Sequence, residues 1–110
     1  MKQFTADQLL IEEQKVRQYL LNTDHPDGGS KARFFIRHGF DPSGWRTFAR
    51  AIRNHAMLFP VKSEQKTPFG TKYVIEGFLE TPKFNKVLIR SVWMIRINEQ
   101  NPILITVYPI

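Results

Sequence analysis

The residues best placed by type and spacing to do chemistry lie in the run His25-Pro26-Asp27-Gly28-Gly29-Ser30-Lys31. Glycines let backbone N–H groups approach an anion closely, a helix capped by Ser30 would offer partial positive charge, and Lys31 adds a full one. A phosphate would be held at such a turn. The run is not a P-loop, since the GxxxxGK[ST] spacing is absent and no strand is predicted ahead of it. It also reads as an ordinary helix-to-helix turn in which glycine supplies unusual dihedrals. His25 is the candidate acid or base, because loops often present catalytic groups and imidazole titrates near neutrality.

Thr106 and Tyr108, two apart on a predicted strand, would share a face with Leu104, opposite Ile103, Ile105 and Val107. Their hydroxyls suit phosphate binding or the positioning of a base, although Thr and Tyr are also common strand formers. Arg46, Arg50 and Arg53 recur at spacings of four and three, which puts them within a stripe about 60° wide on a helix, a basic ridge suited to nucleic acid. Trp93 could stack on a nucleobase, and equally reads as core. His38 and His55 stand near predicted helix ends, where imidazoles help satisfy terminal carbonyls. The histidines show no short metal-ligand spacing, so neither a metal nor another cofactor is expected.

Composition narrows the classes further. The absence of cysteine excludes a disulfide framework, thiol catalysis and thiolate zinc sites. No apolar run approaches signal-peptide or bilayer-spanning length, so a freestanding cytoplasmic protein beginning at Met1, without a membrane partner, is expected. The formal charge is +6, and the stretch from Lys31 to Lys62 holds Arg33, Arg37, Arg46, Arg50 and Arg53 against a single acid, Asp41. Such a block attracts polyanions through long-range Coulomb forces and counterion release, and it also serves solubility.

The elements that must position these groups follow from the hydrophobic periods. At 110 residues with nine Phe, three Tyr and two Trp, the chain reads as one domain, residues 1–110, with enough apolar surface for a core. Helical spacing of Val16, Tyr19 and Leu20 predicts a helix over 12–21, ended by the Pro- and Gly-containing turn. A second helix is predicted over 31–38 with Gly39 as its left-handed terminator, and a third over 41–55, capped by Asp41 and opened by Pro42. Its apolar side would be Trp45, Phe48, Ala49, Ile52 and Ala56. After Pro60 the period falls to two, giving strands near 60–67, 71–79, 86–98 and 103–108 joined by short turns. The fold class expected is α+β: two to three N-terminal helices, then a four-stranded antiparallel meander.

Tyr19-Leu20-Leu21-Asn22, His25-Pro26, Gly28, Lys31-Ala32, Phe34-Phe35, Gly39-Phe40, Gly70, Tyr73, Trp93-Met94-Ile95 and Thr106-Val107-Tyr108-Pro109 together resemble an uncharacterised family of small bacterial domains of unknown function. More distantly, helices followed by a four-stranded sheet, a loop His and a terminal Thr-x-Tyr-Pro resemble the barnase, EndoU, colicin and RelE group of metal-independent ribonuclease toxins. That resemblance implies His25 as general acid or base, Lys31 stabilising phosphorane-like charge, and Thr106 and Tyr108 orienting phosphate. RNA and a small cognate inhibitor protein are the implied partners. The alternatives are a non-catalytic module, whether a nucleic-acid binder on the arginine ridge or a toxin-neutralising partner, and a structural or assembly protein. No oligomeric state is legible.

Overall fold

The switch from a period of 3.6 to one of 2 after Pro60 divides the architecture. The structure, a computed structural model, describes residues 2–110. Helix α1 (Glu13–Lys15) continues into a π-helical stretch, Val16–Leu20, closed by the Leu21 N–H donating to the Val16 carbonyl at 2.8 Å. Helix α2 (Gly29–Arg37) and helix α3 (Trp45–Leu58) follow, the latter led in by a 3₁₀ turn, Pro42–Gly44. Then come β1 (Ser63–Thr67), β2 (Gly70–Glu80), β3 (Lys86–Arg96) and β4 (Ile103–Pro109). They pair in chain order as an antiparallel meander, as the short turns require. Among the described residues no helix is long and apolar enough to cross a membrane.

One sheet face and the helices share the core. Tyr73, Ile75, Leu79, Ile89, Trp93, Leu104 and Val107 meet Phe35 of α2 and Phe48, Ala49, Ile52 and Ala56 of α3, the α3 stripe expected from spacing except that Trp45 is only partly covered. Gly77 marks a close approach: a β-carbon there would stand 2.3 Å from the Phe59 ring, so only hydrogen fits beneath it. The N-terminal segment, interrupted by a 3₁₀ turn at Ala6–Gln8, runs across the same structure. Val61 N–H donates to the Lys2 carbonyl, and Leu10 is clasped to the last strand, its N–H donating to Pro102 and its carbonyl accepting from Leu104, each at 2.9 Å for the Leu10 pair.

Several local expectations are corrected. Ser30 does not cap α2; the helix already includes it, with Gly28 at the cap position. No side chain caps the helix; His25 instead closes the turn ahead of it, its Nδ1 accepting from the N–H groups of Asp27 and Gly28 at 3.0 and 3.1 Å and its carbonyl from Gly29 N–H at 2.9 Å. Asp41 does cap, accepting from Ser43 N–H, which holds its carboxyl below the usual range, but it caps the 3₁₀ turn. Gly39 terminates α2 with φ +103°, as expected. In β4 the alternation breaks. Val92 pairs with Thr106 and Trp93 with Leu104, leaving Ile105 as the extra residue of a bulge. Leu104 therefore turns to the core with Val107, while Thr106 and Tyr108 keep the opposite face.

Candidate functional site

On the sheet face away from the core, Glu76, Arg90 and Tyr108 form one row across three strands, because Glu76 pairs with Arg90 and Arg90 with Tyr108. The Arg90 guanidinium lies 5.6 Å from the Tyr108 ring centre and donates to its hydroxyl at 3.3 Å. Lys31, from α2, brings its Nζ to 5.3 Å from the same ring. Two cations from separate elements thus flank one phenol. Since Arg90 donates to the Tyr108 oxygen, the phenol's own O–H is free to donate outward.

Glu76 holds the row in place by accepting from Lys62 and from Arg90 Nε. Those two bonds, Lys62 first, pull its carboxyl below the usual range, so it stays ionised and is a weak base. The bonds to Tyr108 and then Glu76 push Arg90 higher still. Lys62 and Arg90 share this one carboxylate, and among the described residues Lys31 makes no ion pair. Thr106 sits in the adjacent row; its Oγ1 is covered and has no hydrogen-bond partner among the described residues.

Of the residues singled out from sequence, Lys31 and Tyr108 meet directly and Thr106 adjoins them. No hydrogen bond links His25 to this cluster: its ring packs edge-on against Tyr19 at 4.7 Å, in a cleft lined by Glu12, Lys15 and Gln18. Its Nδ1 is already occupied, accepting from two backbone N–H groups of its own loop. The neighbouring glycines are also accounted for by packing. A β-carbon at Gly28 would lie 2.8 Å from the Tyr19 ring and one at Gly29 2.5 Å from the Thr23 carbonyl, so their own chain fills the space a phosphate would need.

Trp93 is fully enclosed and offers no ring face to a nucleobase; its indole N–H donates to Ser91 Oγ at 2.9 Å. Arg46, Arg50 and Arg53 do share a surface, lining one hollow with Ala6, Trp45 and Ala49, and Arg46 stands 5.2 Å over the Trp45 ring. None of the three makes an ion pair among the described residues. His38 does end α2, but through its backbone N–H, bonded to the Phe34 and Phe35 carbonyls; its ring satisfies no helix carbonyl and instead brings Nδ1 to 3.4 Å from Asn85 Nδ2. His55 is corrected: it caps nothing with its ring, which is buried, with Nε2 2.8 Å from Ser91 Oγ.

Arg90 and Glu76 were not singled out from sequence. The available signal was the period of two, which puts Arg90 on the face opposite Trp93; the row with Tyr108 needs the register that the Ile105 bulge sets.

From residue 2 to residue 110 one family model matches the chain. The chain belongs to the family described as Domain of unknown function (DUF6883). This is the kind of family that the Tyr19 to Pro109 pattern resembles. No curated protein matches it in sequence. In fold it is similar to a chain of a contact-dependent growth inhibition toxin–immunity protein complex from Klebsiella pneumoniae 342, at a TM-score of 0.70 and 14% identity, over 94% of this chain and 95% of that one.

Proposed function

We propose that this family member is a toxin-type domain that cleaves RNA through its 2′-hydroxyl without a metal, using the outer sheet face. The observation that carries the reading is the convergence of Lys31 and Arg90 on Tyr108. Two cations at one spot suit a phosphodiester whose non-bridging oxygens gain charge as a fifth oxygen bonds to phosphorus. In the reaction the ribose 2′-oxygen bonds to phosphorus and its proton passes to water. The P–O5′ bond breaks, and the Tyr108 O–H protonates the leaving oxygen and is replenished from solvent. The products are a 2′,3′-cyclic phosphate and a 5′-hydroxyl. Thr106 orients the phosphate once its hydroxyl rotates outward, and Glu76 positions Arg90.

Charge supports the same side of a toxin–neutraliser pair. A component that acts on a polyanion is expected to be basic and its neutraliser acidic, and this chain carries +6. Incubation with total RNA in EDTA tests the reading. Wild type should give cyclic-phosphate and 5′-hydroxyl ends; Lys31→Ala and Arg90→Ala should each slow cleavage about 100-fold, the usual scale for losing one charge-stabilising donor. His25→Ala should stay within a few-fold, since the His25 ring bonds only to the backbone of its own loop. Absence of cleavage by wild type at every pH from about 5 to 8 would end the enzyme reading.

A second reading, a non-catalytic nucleic-acid binder, is favoured by Arg46, Arg50 and Arg53 around their common hollow, none of them in an ion pair among the described residues. It predicts RNA binding without any change in RNA length.

A further inference from the structure

The β2–β3 hairpin presents a large aromatic ring to solvent on a rigid mount. Phe84, at its tip, is 100% exposed and adopts φ +60°, a left-handed conformation that a residue with a β-carbon avoids unless its surroundings impose it. The surroundings do impose it. Phe84 N–H donates to the Thr81 carbonyl and Thr81 N–H to the Asn85 carbonyl, each at 3.0 Å, while the buried Thr81 hydroxyl accepts from Lys83 N–H and bonds to the Asn85 side chain. Behind the tip, Gly39 leaves just enough room for Pro82 and Lys83, so the end of α2 buttresses the hairpin.

The surroundings of the ring select a ligand. Lys83 and Lys86 flank it, both exposed, and neither forms an ion pair among the described residues, although Glu80 lies opposite Lys86 in the ladder. Along the face that carries Arg90, the residues met next toward the tip are the cross-strand pair Phe78 and Leu88, both substantially exposed, and then Lys86. Four residues of strand separate Arg90 from Lys86, about 13 Å at roughly 3.3 Å each. From the Tyr108 row to the hairpin tip the strip therefore runs from Arg90, bonded to Glu76, through the apolar pair Phe78 and Leu88, to Lys86 opposite Glu80, and then to Phe84. That order fits a chain of phosphates and bases; a purely apolar protein contact would leave the lysines unpaired.

We propose that this strip is a track for single-stranded RNA, with Phe84 as the platform on which a base stacks while Lys83 and Lys86 hold the adjoining phosphates. The proposal rests on the RNA reading of the Tyr108 row and adds to it how substrate is gripped away from the reacting phosphate. Stacking is sequence-tolerant, because every base has a π-face.

The test is fluorescence anisotropy of a labelled 2′-O-methyl U12 oligonucleotide, which cannot be cleaved through a 2′-hydroxyl, with wild type, Phe84→Ala, Phe84→Gly, Phe84→Trp and Lys83→Ala/Lys86→Ala. Loss of the ring should weaken binding about 5- to 100-fold. Phe84→Gly relieves the left-handed strain and should therefore unfold no earlier than wild type while still losing affinity, which separates binding from folding. Phe84→Trp should bind at least as well as wild type. The double lysine variant should lower the slope of log affinity against log salt by about 1.4, at roughly 0.7 per phosphate contact. If wild type binds and the Phe84 variants bind equally, the platform is refuted while the RNA reading stands, and the hairpin is left to a protein partner. If wild type cleaves total RNA but does not bind the oligonucleotide, the track is refuted alone; if it does neither, both fall.

Discussion

Burial holds the His55 imidazole neutral far into the acid range, its pKa pushed down to about 4, with the Phe78 backbone partly opposing the shift. In the unfolded chain the same group protonates near 6.5. Between those values only the unfolded chain takes up the proton. The stabilisation is therefore complete above about pH 6.5, declines as pH falls toward 4, and levels off below that. The slope contributed by this one group is at most about 1.4 kcal/mol per pH unit. Urea unfolding at pH 7 and 4.5 should show this decline in wild type, and His55→Gln, which keeps a polar partner for Ser91 without titrating, should show a shallower one. An equal pH slope in the two proteins would count against this account. Neither role of His25 or His55 was legible in sequence, because each depends on what the ring meets. His25 turns back on its own loop, while His55 reaches Ser91 on another element.

At the level of elements, what could be read locally was read well. The helix stripe Phe48, Ala49, Ile52 and Ala56, the left-handed stop at Gly39 and the strand order all follow from spacing and turn chemistry within a few residues. What escaped depends on pairing between elements. An uninterrupted alternation puts Leu104 with Thr106 and Tyr108, yet the Ile105 bulge moves Leu104 under Trp93 and leaves the two hydroxyl residues outside. Gly77 is another such case: in sequence it merely interrupts a strand, and in the fold it is the gap that admits the Phe59 ring. Gly77→Ala should destabilise the protein by about 1–3 kcal/mol, the usual range for overpacking, read as a shift in urea midpoint without loss of sheet content. A neutral effect would mean that Phe59 moves aside freely.

For the molecule as a whole, basic charge is spread over two regions: the arginines of α3, and the sheet face with its hairpin. If both meet one RNA, removing Arg46, Arg50 and Arg53 together should cost affinity for long RNA and reduce its salt slope by about 2, at roughly 0.7 for each phosphate released. Cleavage of a dinucleotide, too short to reach α3 from the Tyr108 row, should be unchanged. A triple variant equally impaired on both substrates would show that the arginines support the fold or the reacting centre itself.

The clasp between Leu10 and β4 has a consequence for timing. Phe4, Leu9 and Ile11 are buried, yet the backbone partners that fix Leu10 are at Pro102 and Leu104, nearly the whole sequence away. Such a distant closure must wait until the final strand has left the ribosome, and loops of that span form slowly. The domain therefore cannot close until β4 is available to it, and under the proposed function the Tyr108 row, which β4 completes, would be assembled only at that last step.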